Sequence, residues 1–182
     1  MPAGRVSHDD RLLDALASLP ETTFAGTIWR VVNAMRSPLD GSRGAGRWNL
    51  RTTEVLYSAL EADGALSEIH FHVSRGQSIF PSRLKHELHA LDANLAKVLD
   101  LSDPRQLETL GVDMSRYAEM LYDRTQIVGE AVAFLGFEAI IVPNARHKSR
   151  NLVIFMQNVD LDALEVGEHT DVDWQAWRAA RR

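Results

Sequence analysis

Gly44-Ala45-Gly46-Arg47-Trp48-Asn49, followed eight residues later by Tyr57 and then by Glu68, gathers unusual chemistry into a short stretch of chain. The glycines expose backbone N–H groups and let a ligand approach closely. Arginine presents a planar fork that matches phosphate oxygens. Trp48 and Asn49 add an aromatic plane and an amide, and a carboxylate such as Glu68 offsets positive charge that develops during a reaction. This set suits an anionic, ring-bearing ligand whose reaction generates a cation. A dinucleotide meets that description, whereas a metal ion or a DNA duplex does not.

Arg30 stands between Trp29 and Val31, among apolar neighbours. A buried guanidinium must find a partner, so it either pairs with a carboxylate or clamps phosphate oxygens. Trp48 either plugs the core or stacks on a base or nicotinamide ring. Tyr57 is either a half-buried core residue or presents its ring or hydroxyl to a pocket. Glu68, in Ala65-Leu66-Ser67-Glu68-Ile69, is either a solvated glutamate or a carboxylate held on an apolar helix face near arginines. Arg146, Lys148 and Arg150 form a basic turn that is either solvated or meets phosphate or an acidic partner.

Other chemistries lack their motifs. The glycines run G-x-x-G-x-G from Gly41, not the G-x-G-x-x-G of a Rossmann turn, and no Walker-type phosphate loop is present. His70 and His72 would share a face only on a strand, and His86 and His89 only on a helix. There is no H-E-x-x-H, so no metal is expected. No serine sits in a nucleophile elbow. The chain has no cysteine, which removes disulfides and thiolate chemistry. A net charge of -5 and a pI near 5.8 argue against a general nucleic-acid binder. No apolar run approaches the ~18 to 20 residues of a membrane helix, and the charged N-terminus lacks a signal-peptide core. The expected address is the cytoplasm.

The elements that must position these residues read as one α+β domain over 182 residues. Residues 1–22 form an N-terminal helical extension, 23–160 the core and 161–182 a C-terminal segment. Ser7, Asp9 and Asp10 before Leu12, Leu13, Leu16 and Leu19 predict a capped helix ending at Pro20. Thr23 to Val32 and Val55 to Ser58 predict strands flanking a long loop, a length typical of functional loops. Glu61 to His72 predicts a helix weakened by Gly64. Two strands are expected at Arg83 to Leu91 and Lys97 to Leu101. Short helices are expected from Asp103-Pro104 and over Tyr117 to Tyr122, with a longer one over Thr125 to Leu135, stopped by Gly136. Phe137 to Val142 and Asn151 to Gln157 predict buried strands, and Trp174, Trp177 and Arg178 a final helix.

In order along residues 26 to about 160, Trp29-Arg30-Val31-Val32, Gly46-Arg47-Trp48-Asn49, Val55-Leu56-Tyr57, Ala65 to Ile69, Thr125-Gln126 with Gly129, and Gly136 through Val142-Pro143 resemble the RES domain. That family supplies the toxins of RES–Xre type II toxin–antitoxin systems. The resemblance implies an ADP-ribosyltransferase-like split β-sheet with surrounding helices around an NAD+ pocket. It implies a toxin that cleaves NAD+ at the nicotinamide–ribose bond by hydrolysis or phosphorolysis. In some members ADP-ribose is instead transferred to a protein acceptor, and a non-catalytic nucleotide-binding module is the rival reading. Arg30 matches the arginine and Glu68 the glutamate of the family name; Arg47 and Tyr57 match further pocket positions. Asp123, Thr125 and Asn144 are the candidates for the role of the family serine, and Val31 departs from the tyrosine of many relatives. On this resemblance the catalytic residues are Glu68, Arg30 and Tyr57. The NAD+-binding residues are Arg30, Arg47, Trp48, Asn49, Tyr57, Thr125 and Asn144. The implied partner is an Xre helix-turn-helix antitoxin that blocks the pocket and itself carries the DNA contacts.

Overall fold

Two long strands, β1 (Glu21–Asn33) and β3 (His86–Asp100), run antiparallel from Asn33↔His86 to Glu21↔Leu99 and form the spine of the fold. The computed structural model describes residues 8–75 and 85–181. Along β3, Leu91, Ala93 and Leu95 are buried while Asp92, Asn94 and Ala96 are exposed, the period-two pattern of a half-buried strand. The two separate strands expected at Arg83 to Leu91 and Lys97 to Leu101 are therefore one strand. Asp92 and Asn94 are its solvent face rather than a break, and Thr27 donates to the Asp92 carboxylate at 2.6 Å. Arg83 itself lies outside the described residues.

A second ladder joins β2 (Val55–Ala59), β5 (Arg150–Phe155) and β4 (Ala139–Pro143), all antiparallel and mostly buried. The ladders meet at two places. β3 runs parallel to β4 over Val98 to Asp100, and β1 touches β2 at Trp29↔Ala59. The strand ring closes on itself, with β6 (Leu164–Asp171) added outside along the first half of β3. No strand is predicted at β6 because Leu164 alone in it is buried, so its side chains carry no alternation to read.

Helices cover both faces. α1 (Asp10–Ala17) packs on α4 (Asp123–Phe134). Its Leu12 and Leu16 enter the main core, each worth ~1.5–3 kcal/mol on burial. The α1 cap is Asp9, accepting from the Arg11 N–H at 3.0 Å; Ser7 lies outside the described residues. α4 ends at Gly136, whose φ of 77° favours glycine. α2 (Ala62–Ser74) lies against β1 and β2. α3 (Pro104–Thr109) follows its Asp103 cap with proline at the start, as expected. α5 (Trp174–Ala179) buries Trp174 against Val31, Ala59 and Leu66.

The helix expected over Tyr117 to Tyr122 does not form. A single 3₁₀ turn, Met114–Arg116, is followed by turns, and the Tyr117 hydroxyl instead donates to the Pro143 carbonyl at 2.8 Å. Among the described residues no helix is long and apolar enough to cross a membrane.

Candidate active site

A cavity of about 390 Å³ opens between β1, β2, α2, the glycine loop and the turn around Tyr117 to Tyr122. Arg30, Arg47, Trp48, Tyr57 and Glu68 all border it. Arg30 is delivered from β1, where it stands opposite His89 of β3. One end of its guanidinium, Nη2, donates to the Asp40 carbonyl at 2.6 Å, so its protein partner is a backbone oxygen. Nη1 is buried and has no protein partner. Burial, reinforced by Arg36 and opposed by Asp40, lowers its pKa to about 10, which leaves it cationic at neutral pH.

Arg47 is held differently. Its guanidinium lies 4.6 Å from the Tyr117 ring centre and 4.7 Å from that of Tyr122, cation–π contacts that fix its plane. Nη2 donates to the Glu119 carbonyl at 3.3 Å, and Nη1 is buried without a protein partner. A cationic donor stranded in this way is costly unless a ligand completes it. Both arginines thus carry an uncommitted buried N–H group.

Glu68 comes from the second turn of α2. Its Oε1 accepts from the Ala145 N–H at 3.2 Å, and Oε2 lies 4.0 Å from His72 Nε2. Tyr57, from β2, has its hydroxyl fully engaged: it accepts from the Trp48 N–H at 3.0 Å and donates to Asn49 Oδ1 at 2.8 Å. Burial pushes this hydroxyl well above its ordinary value. A neutral phenol with a committed hydroxyl leaves its ring to meet a ligand.

The glycine loop is shaped from behind. A side chain at Gly46 would begin 2.5 Å from the Tyr57 hydroxyl and 2.9 Å from Asn49 Oδ1, so only hydrogen fits. Gln126 of α4 donates to the Gly46 carbonyl at 2.8 Å. Gly129 lets α4 press directly onto the Trp48 carbonyl. The buried Glu130 carboxylate accepts from the Leu50 N–H at 2.9 Å and the Thr53 hydroxyl at 2.8 Å.

Trp48 touches the cavity only at its edge, and Asn49, Thr125 and Asn144 sit behind the wall. Trp48 is only 2% exposed and fills the main core, so its indole offers no stacking face. Asn49 is fully buried; its amide donates to the carbonyls of Gly44, Leu50 and Thr53, and its oxygen accepts from the Gly46 N–H and Tyr57. Thr125 is buried and donates to the Tyr122 carbonyl at 3.0 Å. Asn144 caps the following turn, accepting from the N–H groups of Arg146 and His147 and donating to the Gly64 carbonyl and Asn151. Asp123 opens α4 and does not border the cavity. Gly64, read from sequence as a weakness in α2, is needed here: a Cβ would collide with the Ser149 hydroxyl.

Several residues of the site were not singled out from sequence. Tyr117 and Tyr122 hold Arg47, and nothing in their local spacing announces a partner some 70 positions away. Glu130 did leave a signal, an acid inside the apolar helix run Val128 to Phe134. His70 and His72 diverge on the helix. His70 faces the rings of Trp174 and Trp177, while His72 borders the cavity. Among the described residues no group of three histidine, aspartate or glutamate side chains is arranged to hold a metal ion.

The geometry provides two anion-directed cations, an aromatic ring and a carboxylate around one cavity. Comparison with known proteins places the chain in a family. The RES domain family model matches residues 27–175. The chain is 31% identical over 140 residues to the probable NAD(+) phosphorylase Rv3189 of Mycobacterium tuberculosis, covering 74% of this chain and 66% of that protein. It is 24% identical over 170 residues to the NAD(+) phosphorylase MbcT of Mycobacterium bovis, covering 90% of this chain and 91% of that one. The crystal structure of the M. tuberculosis MbcT–MbcA toxin–antitoxin complex superposes with a TM-score of 0.84 at 23% identity, over 95% of this chain and 98% of that one, and so shares its fold. The chain belongs to the RES-domain family.

Proposed function

We propose that this RES-domain protein is the toxin of a type II toxin–antitoxin system and cleaves NAD+ at the nicotinamide–ribose bond, with inorganic phosphate as the attacking group. The observation that carries this reading is the pair of buried, unpartnered guanidinium nitrogens, Arg30 Nη1 and Arg47 Nη1, on the same cavity as Glu68. Phosphate as nucleophile is supported by the phosphorylases that the chain is similar to. The closed strand ring, with its two ladders, is read as a split sheet of the ADP-ribosyltransferase type.

The chemistry follows from charge. NAD+ carries its positive charge on the nicotinamide ring, and breaking the glycosidic bond moves that charge onto the ribose. Glu68 holds the ribose and offsets the developing cation. Arg30 and Arg47 grip the pyrophosphate, which fixes the ribose relative to Glu68 and removes orientational entropy from the reaction. Tyr57 supplies a ring face for nicotinamide. Trp48, Asn49, Thr125 and Asn144 act by holding the loops that carry these groups.

A protein that consumes NAD+ must be restrained in its own cell, which places it in the cytoplasm beside a cognate antitoxin. The antitoxin is of the Xre helix-turn-helix type and blocks the cavity with an inserted segment. Exposed Met120 at the rim, next to exposed Leu121 in the chain, offers it apolar contact. The test is product analysis after incubating purified, antitoxin-free protein with NAD+. Release of nicotinamide with phosphate-dependent formation of ADP-ribose phosphate is expected. Free ADP-ribose alone would assign hydrolysis, and label on a protein acceptor would assign ADP-ribosyl transfer. Absence of turnover would leave a nucleotide-binding module.

A further inference from the structure

A carboxylate that stabilises a ribose cation also repels an anionic nucleophile, and phosphate must approach the same carbon that Glu68 attends. Cleavage by water meets no such obstacle. Phosphorolysis therefore needs positive charge beside Glu68 that is not already used on the pyrophosphate.

The 144–149 turn supplies it, and the last turns of α2 hold it in place. Asn144 fixes the Arg146 backbone, accepting its N–H at 2.8 Å, and Glu68 itself accepts from the adjacent Ala145 N–H. The Arg146 guanidinium lies 3.3 Å over the Phe71 ring of α2, which holds its plane, and its Nε is buried without a protein partner. His72, one turn beyond Glu68, borders the cavity with its side chain half exposed. We propose that Arg146, on the turn whose Ala145 borders the cavity, and His72, which borders it one helical turn beyond Glu68, form the subsite that receives the phosphate nucleophile; this rests on the phosphorylase reading above.

The electrostatics fit an anion that arrives rather than one built in. Burial and the nearby Arg47 depress the pKa of Arg146, with Glu68 opposing. His72 is depressed by burial, then by Arg146, Arg75 and Arg47, again with Glu68 opposing. Arg146 and Arg47 crowd one another around a single carboxylate, a strain that a bound dianion relieves. His72, its pKa held below the ordinary 6.5, is neutral at pH 7 and offers a hydrogen bond rather than a charge. In the reaction, a phosphate oxygen bonds to the anomeric carbon as the carbon–nitrogen bond breaks. The bonding pair goes to the pyridinium nitrogen, so nicotinamide leaves neutral without needing a proton, and any proton remaining on the phosphate exchanges with solvent.

The experiment measures the ratio of ADP-ribose phosphate to ADP-ribose, and the KM for each substrate, in Arg146→Gln, Arg146→Lys and His72→Asn proteins whose melting temperatures match the parent. For Arg146→Gln we expect the KM for inorganic phosphate to rise about tenfold or more and the product ratio to fall with it. The KM for NAD+ should move less than about twofold, and Arg146→Lys should recover part of the loss. His72→Asn should shift the same ratio more weakly. An Arg146→Gln protein with the parental phosphate KM and product ratio, or with both KM values raised alike, overturns the subsite while leaving phosphorolysis standing. A parent that forms no phosphorylated product overturns the phosphorylase reading and the subsite together.

Discussion

Arg47 and Asn49 are two positions apart in one loop, and they do opposite things. The asparagine spends every polar atom on its own backbone and on Tyr57, while the arginine, braced between two tyrosines, leaves Nη1 unpartnered. The same contrast separates the cavity wall from the loops behind it. Arg30, like Arg47, is anchored at one end and open at the other. Glu130, like Asn49, is saturated: its carboxylate ties the 50–53 turn to α4. Of these four side chains, the two that border the cavity are the two that the fold leaves with an unpartnered buried nitrogen.

Substitutions on the two sides of that divide should separate catalysis from stability. The largest effect is expected at Glu68. Glu68→Gln should lower the rate of nicotinamide release ~100- to 1,000-fold with little change in melting temperature, checked by single-turnover kinetics and calorimetry. Asn49→Ala should do the reverse. It strands buried carbonyls and should cost ~2–3 kcal/mol of stability, read as a lower denaturant midpoint, while activity persists well below the melting temperature. Arg47→Lys keeps the charge but loses the stacked fork, so the KM for NAD+ should rise roughly three- to tenfold, from the ~0.5–2 kcal/mol of a cation–π contact. If Asn49→Ala abolished turnover in protein that remained folded, the division between wall and support would fail.

The smallest effect concerns pH. His86 accepts the Trp174 indole N–H on Nδ1 at 3.1 Å, and burial lowers its pKa from the ordinary 6.5. The unfolded chain then binds the proton more readily than the folded one, so stability contributed here is complete at neutral pH and falls as the pH drops below 6.5. Melting followed by tryptophan fluorescence between neutral and mildly acid pH should show this decline. His86→Gln, which keeps an acceptor and cannot titrate, should reduce it.

Much of this division was legible in the chain, and the rest was hidden for identifiable reasons. Helix starts at Asp9 and Asp103-Pro104 were readable because caps act locally. The grouping of Arg30, Arg47, Tyr57 and Glu68 followed from motif order, and all four do border one cavity. The packing of Trp48, Asn49, Thr125 and Asn144 is not legible in sequence, because an indole, amide or hydroxyl looks the same whether it meets a ligand or the protein's own interior. The stretch from Tyr117 to Tyr122 read as helix because its real constraints, Pro143 and Arg47, come from distant sequence. β6 was missed because its register is set by β3 rather than by its own side chains.

The most direct test is a crystal structure of the Glu68→Gln protein with NAD+. It should show pyrophosphate oxygens within hydrogen-bonding distance of Arg30 Nη1 and Arg47 Nη1, with the ribose beside residue 68. A dinucleotide bound elsewhere, or one that leaves both nitrogens without a partner, would contradict the account.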